Sequence, residues 1–304
     1  MHHKRYTADR WTLGVYSPLP FDKLAESQEV ALVHDGWGIH PTKSKALLEE
    51  LVSKGIFPIA VDTRYGYANQ SPLRAHRRGS LALRLLKQSR STGASNPYFP
   101  EATMRGNRTN LRRPTSTLAL ADILGIEKFH LIGFSDGGRT VTTIAEQHPE
   151  RVKSLTVVNG VGTSPIITDR RTKRSVVRSI REKRQAHRTQ ETVPESDRAP
   201  KSLVHRAYHI AHPRRSSREL GVIGHADGWP TKSRLAQEGV LVTVIHAKDD
   251  PVIHFDEAQE YASEHPEVKF VPVEGGHNAY YRPDVIETIA DTIVQNIVQV
   301  SKEV

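Results

Sequence analysis

Ser135 stands in the stretch Gly133-Phe134-Ser135-Asp136-Gly137-Gly138, a G-x-S-x-G pattern with one further glycine. Small residues on either side of a serine suit a tight turn that lifts the hydroxyl clear of the chain. A serine hydroxyl is a poor nucleophile until a base takes its proton and a third group orients that base. Two later stretches carry suitable partners. One is His246-Ala247-Lys248-Asp249-Asp250-Pro251-Val252, with two candidate acids. The other is Val273-Glu274-Gly275-Gly276-His277-Asn278, with one candidate base. Brought together, these residues would carry out nucleophilic attack on an acyl carbon, but they are more than a hundred positions apart. Only the elements between them could make them meet.

Those elements alternate. Apolar runs at 30–33, 56–61, 128–133, 154–158, 240–246 and 268–273 predict strands. Helical spacing of apolar residues covers 42–53, 115–124, 137–147, 255–264 and 284–300. In the last of these, Val285, Ile289, Ile293 and Ile297 recur every four residues. Strands alternating with helices predict an α/β fold, with a mostly parallel central sheet covered by helices on both faces. In such sheets ligands bind beyond the carboxyl ends of the strands. Ser135, the acid and His277 each follow a predicted strand, so all three belong to that edge. Two stretches break the rhythm. Residues 68–113 form a long basic excursion, and residues 165–225, rich in Arg, Ser, Pro and His, are read as an inserted basic cap. The core then comprises 1–164 and 226–304.

The order Ser, Asp, His and the turn around Ser135 resemble the α/β-hydrolase family, and the turn is similar to that of valacyclovir-hydrolase-type members. The resemblance covers most of the chain outside 68–113 and 165–225. It implies that Ser135 is the nucleophile, His277 the base and Asp250 the acid. The family's Gly-x-x-Asp-Pro-apolar motif maps onto Ala247 to Val252 and favours Asp250 over Asp249, which is left to solvent or to capping the next helix. The family's His-Gly-x-Gly loop corresponds to His34-Asp35-Gly36-Trp37-Gly38, where Asp35 is an insertion or replaces the histidine. In either alignment the backbone N–H groups of Trp37 and Asp136 are the expected oxyanion donors. The implied activity is a cofactor-free serine hydrolase that cleaves a carboxylic ester or related acyl compound through an acyl-enzyme. The same triad serves amide, thioester and carbon–carbon hydrolysis and haloperoxidase-like chemistry. The expected partner is a small acyl substrate.

Composition narrows the rest. The 304 residues include no cysteine, which excludes disulfides, thiolate metal sites and cysteine nucleophiles. No apolar run approaches the ~20 residues of a membrane span, and Met1-His2-His3-Lys4-Arg5 leads into no apolar signal region, so a cytoplasmic protein is expected. His205, His209 and His212 lack an accompanying carboxylate or H-E-x-x-H pattern, and no metal site is read there. His246, His254 and His265 are read as packing or surface residues. The net charge of +9 is uneven. Residues 74–113 carry ten bases against one acid and residues 165–219 fifteen against six, leaving 18 bases and 27 acids elsewhere. Two basic segments on an acidic body favour an anionic substrate. The alternative is a polyanion-binding protein on a hydrolase scaffold, contacting nucleic acid or an anionic surface.

This charge layout gives the first testable expectation. Positive segments beside a cleft raise the on-rate of anionic ligands, and salt weakens the effect as the Debye length falls from about 30 Å at 0.01 M to about 8 Å at 0.15 M. Anionic esters should therefore exceed neutral isosteres in kcat/KM at low salt, with the preference shrinking as salt rises. Replacing Arg178, Arg181 and Arg184 together by Gln should reduce the preference and spare kcat on a neutral ester. Equal kcat/KM for the two substrates at low and high salt would mean that the arginines serve only solubility.

Overall fold

The computed structural model describes residues 1–8, 11–36, 41–62, 108–163 and 227–303. Eight described strands form one sheet: β1 (His2–Ala8), β2 (Trp11–Ser17), β3 (Val30–His34), β4 (Phe57–Asp62), β5 (Phe129–Phe134), β6 (Val152–Val158), β7 (Leu241–Ala247) and β8 (Lys269–Val273). Their order is β1-β2-β4-β3-β5-β6-β7-β8. The pairs from β4 to β8 are all parallel, and β1 and β2 form an antiparallel hairpin joined to β4. The described α-helices are α1 (Lys45–Ser53), α2 (Arg108–Ile123), α3 (Asp136–Gln147), α4 (Trp229–Gln237), α5 (Phe255–Glu264) and α6 (Pro283–Glu303).

Strand alternation divides the apolar residues between two faces. Val30 and Leu32 of β3, with Phe129 and Leu131 of β5, pack with Leu118 of α2 and Val141 and Ile144 of α3. Ala31 and Val33, with Ile132 and Phe134, pack instead with Leu47, Leu48 and Leu51 of α1 and Val285, Ile289, Ile293 and Ile297 of α6. The central strands are buried on both sides, which is why they read in sequence as continuous apolar runs. No described helix is long and apolar enough to cross a membrane.

The expectations are met for the six parallel strands and for the helices, with two corrections. The hairpin β1–β2 was not expected. β1 is the polar run HHKRYTA at the sheet edge, and an edge strand with mostly exposed side chains leaves no apolar alternation. The helix expected from 115 begins at Arg108 and carries Pro114 in its interior. A proline normally marks a helix start because its ring removes one hydrogen bond. Here the helix runs through the proline, and Ser116 Oγ and Thr117 Oγ1 both donate to the carbonyl of Arg113, the residue before it. Residues 108–113 are thus helix, not excursion. The rest of that excursion and the 165–225 cap lie outside the described residues.

The chain ends that flank residues 164–226 bond each other directly. Gly162 O accepts from Gly228 N (3.0 Å) and from Lys232 Nζ (2.9 Å), and the Trp229 indole donates to Thr163 O (2.7 Å). Lys232 is fully buried, with its ammonium 5.4 Å from the Trp229 ring centroid. Burial pushes its pKa down to about 7, with Asp227 offsetting part of the effect.

The sign of the resulting pH dependence is fixed. Below about pH 7 the folded and unfolded chains both hold the proton, and the fold bears the cost of a buried charge. Between there and about 10.4 only the unfolded chain holds it, so this group makes stability rise with pH, by up to about 1.4 kcal/mol per unit. Lys232→Met should therefore raise the thermal midpoint in mildly acidic buffer, and its advantage should shrink as pH rises toward that upper value. Parallel melting curves across the range would show that Lys232 keeps its proton in the fold.

Candidate active site

Ser135 lies between β5 and α3 with φ 51 and ψ −121, a region that non-glycine residues avoid and that costs roughly 1–3 kcal/mol. Its neighbours hold it there. Ser135 N donates to Val158 O on β6 (3.1 Å), and Ser135 O accepts from Gly138 N and Val161 N (both 2.9 Å). The glycines are required by close approach. A Cβ on Gly137 would lie 2.0 Å from the His34 carbonyl oxygen, and one on Gly133 2.6 Å from the Gly137 carbonyl oxygen. One on Gly138 would meet Val157 Cγ1 at 2.8 Å. Only without side chains can α3 start this close to β3, β5 and β6. The turn leaves Ser135 partly exposed among buried neighbours.

The histidine and the acid converge on it. His277 Nε2 lies 2.9 Å from Ser135 Oγ, and His277 Nδ1 lies 2.7 Å from Asp250 Oδ2. An ionised carboxylate only accepts, so Nδ1 bears the hydrogen and Nε2 accepts from the serine hydroxyl, an assignment made from the network. Asp250 Oδ1 accepts from Val252 N (2.8 Å) and Ile253 N (3.0 Å), which fixes the carboxylate plane. Burial alone would raise the Asp250 pKa. The charge and hydrogen bond of His277, with the amides of Ile253 and Val252, outweigh it and hold the carboxyl below its ordinary range. Asp249 is exposed and outside this chain of hydrogen bonds. The β7 and β8 loops are zipped together by Lys248 N to Val273 O and Asp249 N to Gly275 O, both 2.9 Å. Phe134, just before the serine, stacks on Tyr280, just after the histidine loop, with ring centroids 4.6 Å apart.

Sequence reasoning missed a set of ionic contacts around the elbow. The Asp136 carboxylate is buried and pairs with Arg113 (2.6 Å) and Arg139 (2.9 Å). Arg113 also donates to Asp35 O at 3.2 Å. Burial would raise the Asp136 pKa, but the charges of Arg139 and Arg113 outweigh it and the carboxyl stays below its usual range. Arg139 was findable, since it stands three residues after Asp136 on a helix. Arg113 was not, because its partner is 23 residues away.

The first loop resolves in part. Gly36 packs on Ser135, where a Cβ would lie 3.0 Å from Ser135 Cβ and 3.4 Å from Ser135 Oγ. Asp35 is buried, and its carboxylate accepts from Ser44 Oγ. His34 is buried at the end of β3 and bonds Thr117 Oγ1 at 2.9 Å. Burial, then the charge of Arg113, push its pKa down to about 3 against the pull of Asp136, so it is neutral and structural. Trp37 lies outside the described residues. Asp136 is the first residue of α3, where a backbone N–H has no intrahelical acceptor. His246 is buried and bonds Ile253 O. Among the described residues no cluster of three or more His, Asp or Glu could hold a metal ion. His205, His209 and His212 are outside them.

Known proteins share this architecture. A carboxylesterase structure from the ammonia-oxidizing thaumarchaeon Nitrososphaera gargenis matches with a TM-score of 0.56 and 17% identity, over 99% of this chain and all of that one. The 2-hydroxy-6-oxo-6-phenylhexa-2,4-dienoate hydrolase of Rhodococcus sp. strain RHA1 matches with a TM-score of 0.63 and 17% identity, over 97% of this chain and 98% of that one. A bromoperoxidase from Bacillus anthracis matches with a TM-score of 0.60 and 14% identity, over 97% of this chain and all of that one. At these identities the likeness establishes the fold alone. A search of curated proteins by sequence returns no significant match. The family model for the alpha/beta hydrolase fold matches residues 110–283, which hold the elbow, the acid and the histidine. On that match, and on the parallel sheet with helices on both faces, the chain belongs to the alpha/beta hydrolase fold family.

Proposed function

We propose that this chain is a cofactor-free serine hydrolase that cleaves a carboxylic ester or related acyl compound. The observation that carries the reading is the unbroken run of hydrogen bonds from Ser135 through His277 to Asp250, ending on a strained, partly exposed turn. Ser135 Oγ attacks the acyl carbon while His277 Nε2 takes the proton. Asp250 holds the imidazole in the productive tautomer and stabilises the imidazolium. The oxyanion then faces the N–H groups of Asp136 and Trp37, the start of α3 adding its positive end. His277 returns the proton to the leaving group, and water, deprotonated by the same imidazole, releases the acyl group from Ser135. Among the similar folds are carboxylesterases, a carbon–carbon hydrolase and a bromoperoxidase. The ester is our choice because it asks nothing of the site beyond these groups.

The ion pairs of Asp136 fit the same reading as an anchor. Arg113 joins the first turn of the nucleophile helix to the Asp35 carbonyl, and so to the loop that carries Trp37. Gly36, next to Asp35 in that loop, packs on Ser135. The two expected oxyanion donors come from different elements, and Arg113 ties the start of one, at Asp136, to Asp35 in the loop of the other.

Two predictions test this reading. Ser135→Ala should remove hydrolysis of p-nitrophenyl esters by at least about 10⁴-fold and abolish labelling by a fluorophosphonate, with the thermal midpoint retained. Asp250→Asn should cost about 10⁴-fold in kcat through the wrong tautomer, and Asp249→Asn far less. Activity above a few per cent in Ser135→Ala, or the reverse order of the aspartates, would refute the assignment. The second prediction concerns the anchor. Asp136→Asn removes the counter-charge of two guanidinium groups and should cost about 3 kcal/mol at neutral pH, the low end for a broken pair because the arginines keep some solvent and Arg113 keeps its bond to Asp35 O. The Asp136 pKa is depressed in the fold, so its stabilisation is complete above the unfolded value of about 3.9 and is lost as pH falls through the folded value. Urea unfolding should thus show a constant gap between wild type and variant above about pH 4 that closes below it.

A further inference from the structure

Strand order sets a problem for any triad on this sheet. Ser135 follows β5 and His277 follows β8, with β6 and β7 lying between them. Strands lie ~4.8 Å apart, so the tips of β5 and β8 are separated by roughly 14 Å. The histidine loop must return over the ends of β7 and β6 to bring Nε2 to Ser135. At the end of β6, in its path, stands Asn159.

Asn159 is fully buried and has φ 44, so it and Ser135 share the left-handed side of backbone space among the described non-glycine residues. Its backbone N–H donates to Ile245 O on β7 at 2.9 Å. Its Oδ1 accepts from Ala247 N at 2.7 Å, three residues before Asp250. Its Nδ2 donates to His277 O at 3.0 Å and reaches Gly276 O at 3.4 Å. The Ala247 N–H fixes which end of the amide is oxygen, because only an acceptor can face it. Both side-chain hydrogens therefore face the histidine loop. Two residues on, Val161 N donates to Ser135 O, and Val158 O accepts from Ser135 N. The turn of residues 158–161 thus grips the backbone of the nucleophile, the strand leading to the acid and the main chain of the base.

We propose that Asn159 is a positioning residue that holds the His277 main chain over the end of β6, so that the imidazole meets Ser135 and Asp250 together. The catalytic consequence rests on the serine-hydrolase reading, and the positional one does not. Asparagine fits both demands of the place. It tolerates positive φ better than other side chains with a Cβ, and its amide accepts on one side and donates on the other. Aspartate has the same shape but turns an acceptor toward two carbonyl oxygens. Glycine fits the backbone and supplies neither bond.

The test uses the full chain and two variants, Asn159→Gly and Asn159→Asp. Three quantities are compared with wild type: the thermal midpoint, kcat and KM for p-nitrophenyl acetate, and the carbon-bound ring proton NMR signals of His277, assigned by their loss in His277→Gln. Asn159→Gly should fold, because its backbone suits glycine. Its kcat should fall on the order of 10-fold to 100-fold, as for a reacting group displaced by a fraction of an ångström to about 1 Å, with KM little changed. Its His277 signals should move and broaden. Asn159→Asp should fail to rescue kcat and should also shift those signals. A folded glycine variant with kcat within about threefold of wild type and coincident His277 signals would overturn the proposal, as would full activity in the aspartate variant. If wild type hydrolyses no ester and takes no fluorophosphonate label, the function reading fails. The His277 signals then decide alone: displaced signals support the positional role and coincident ones overturn it. If the glycine variant does not fold, the aspartate variant carries the same comparison.

Discussion

Ser135 is held in a backbone conformation that its chain would leave if its neighbours allowed it. At φ 51 and ψ −121 the strain of roughly 1–3 kcal/mol must be overcome by contacts on every side. The end of β6 and the turn after it supply two of them, through Val158 O and Val161 N. The glycines supply the space. With Gly137 against the His34 carbonyl and Gly138 against Val157, α3 begins almost on the sheet, and its first amide comes beside the serine. The apolar packing of Val141 and Ile144 with Leu131 and Leu155 then keeps the helix there. The fold's double-sided core thus has a local use: it clamps an unfavourable turn from below while leaving the hydroxyl partly exposed above.

A second run of the same residue types lies at the opposite end of the sheet and shows what hydrogen bonds alone do not supply. Ser154 Oγ lies 2.8 Å from His130 Nδ1, and His130 Nε2 lies 2.7 Å from Glu29 Oε2. On paper this is a serine, a histidine and an acid in sequence. Ser154, however, is buried within β6 and pairs in register with Leu241. No helix begins beside it, and its backbone is not strained. Glu29 is shared with Lys153 at 2.7 Å. Burial dominates at His130 and lowers its pKa against the pull of Glu29. This group fastens the amino ends of three strands. What separates the Ser135 site from it is the turn, the exposure and the helix start, all of which the glycines make available.

Much of this was legible because it is local. The six parallel strands announce themselves as apolar runs, since each is buried on both faces, and Val285, Ile289, Ile293 and Ile297 show the inner face of α6 directly. Ser135 is legible from its glycines, and Asp250 only through the family motif that the proline after it completes. The edge strand β1 was not legible, because its side chains face water and carry no pattern. The first turns of α2 were not legible for a related reason: residues 108–113, RTNLRR, carry no apolar spacing, which begins only after Pro114. Asn159 is a subtler case. The pair Asn159-Gly160 is a turn signal, and it does mark a positive φ. The asparagine's partners stand 88 and 118 residues away in the chain, and nothing local reports them. Interactions that cross between loops at one sheet edge are set by strand order, which emerges only when the sheet is assembled.

The two sides of the site are braced with different chemistry, and electrostatics accounts for the difference under the proposed mechanism. Asp136 directly follows the nucleophile, so a bare carboxylate there would oppose an oxyanion. Two unit charges about 6 Å apart interact by roughly 3 kcal/mol at an effective dielectric near 20, comparable with the worth of one oxyanion donor. Arg113 and Arg139 remove that penalty by pairing with both oxygens of the carboxylate, and the surviving charge is dispersed toward solvent. On the base side a charged brace would be harmful in either sign. A cation beside His277 would oppose the imidazolium, and an anion would compete with Asp250 for it and hold the proton too tightly. A neutral amide can grip the His277 carbonyl without either effect. The nucleophile side tolerates an ionic anchor because two guanidinium groups outweigh one carboxylate and leave no net negative charge beside an oxyanion, whereas the base must change charge in each turnover and is held by a group that carries none.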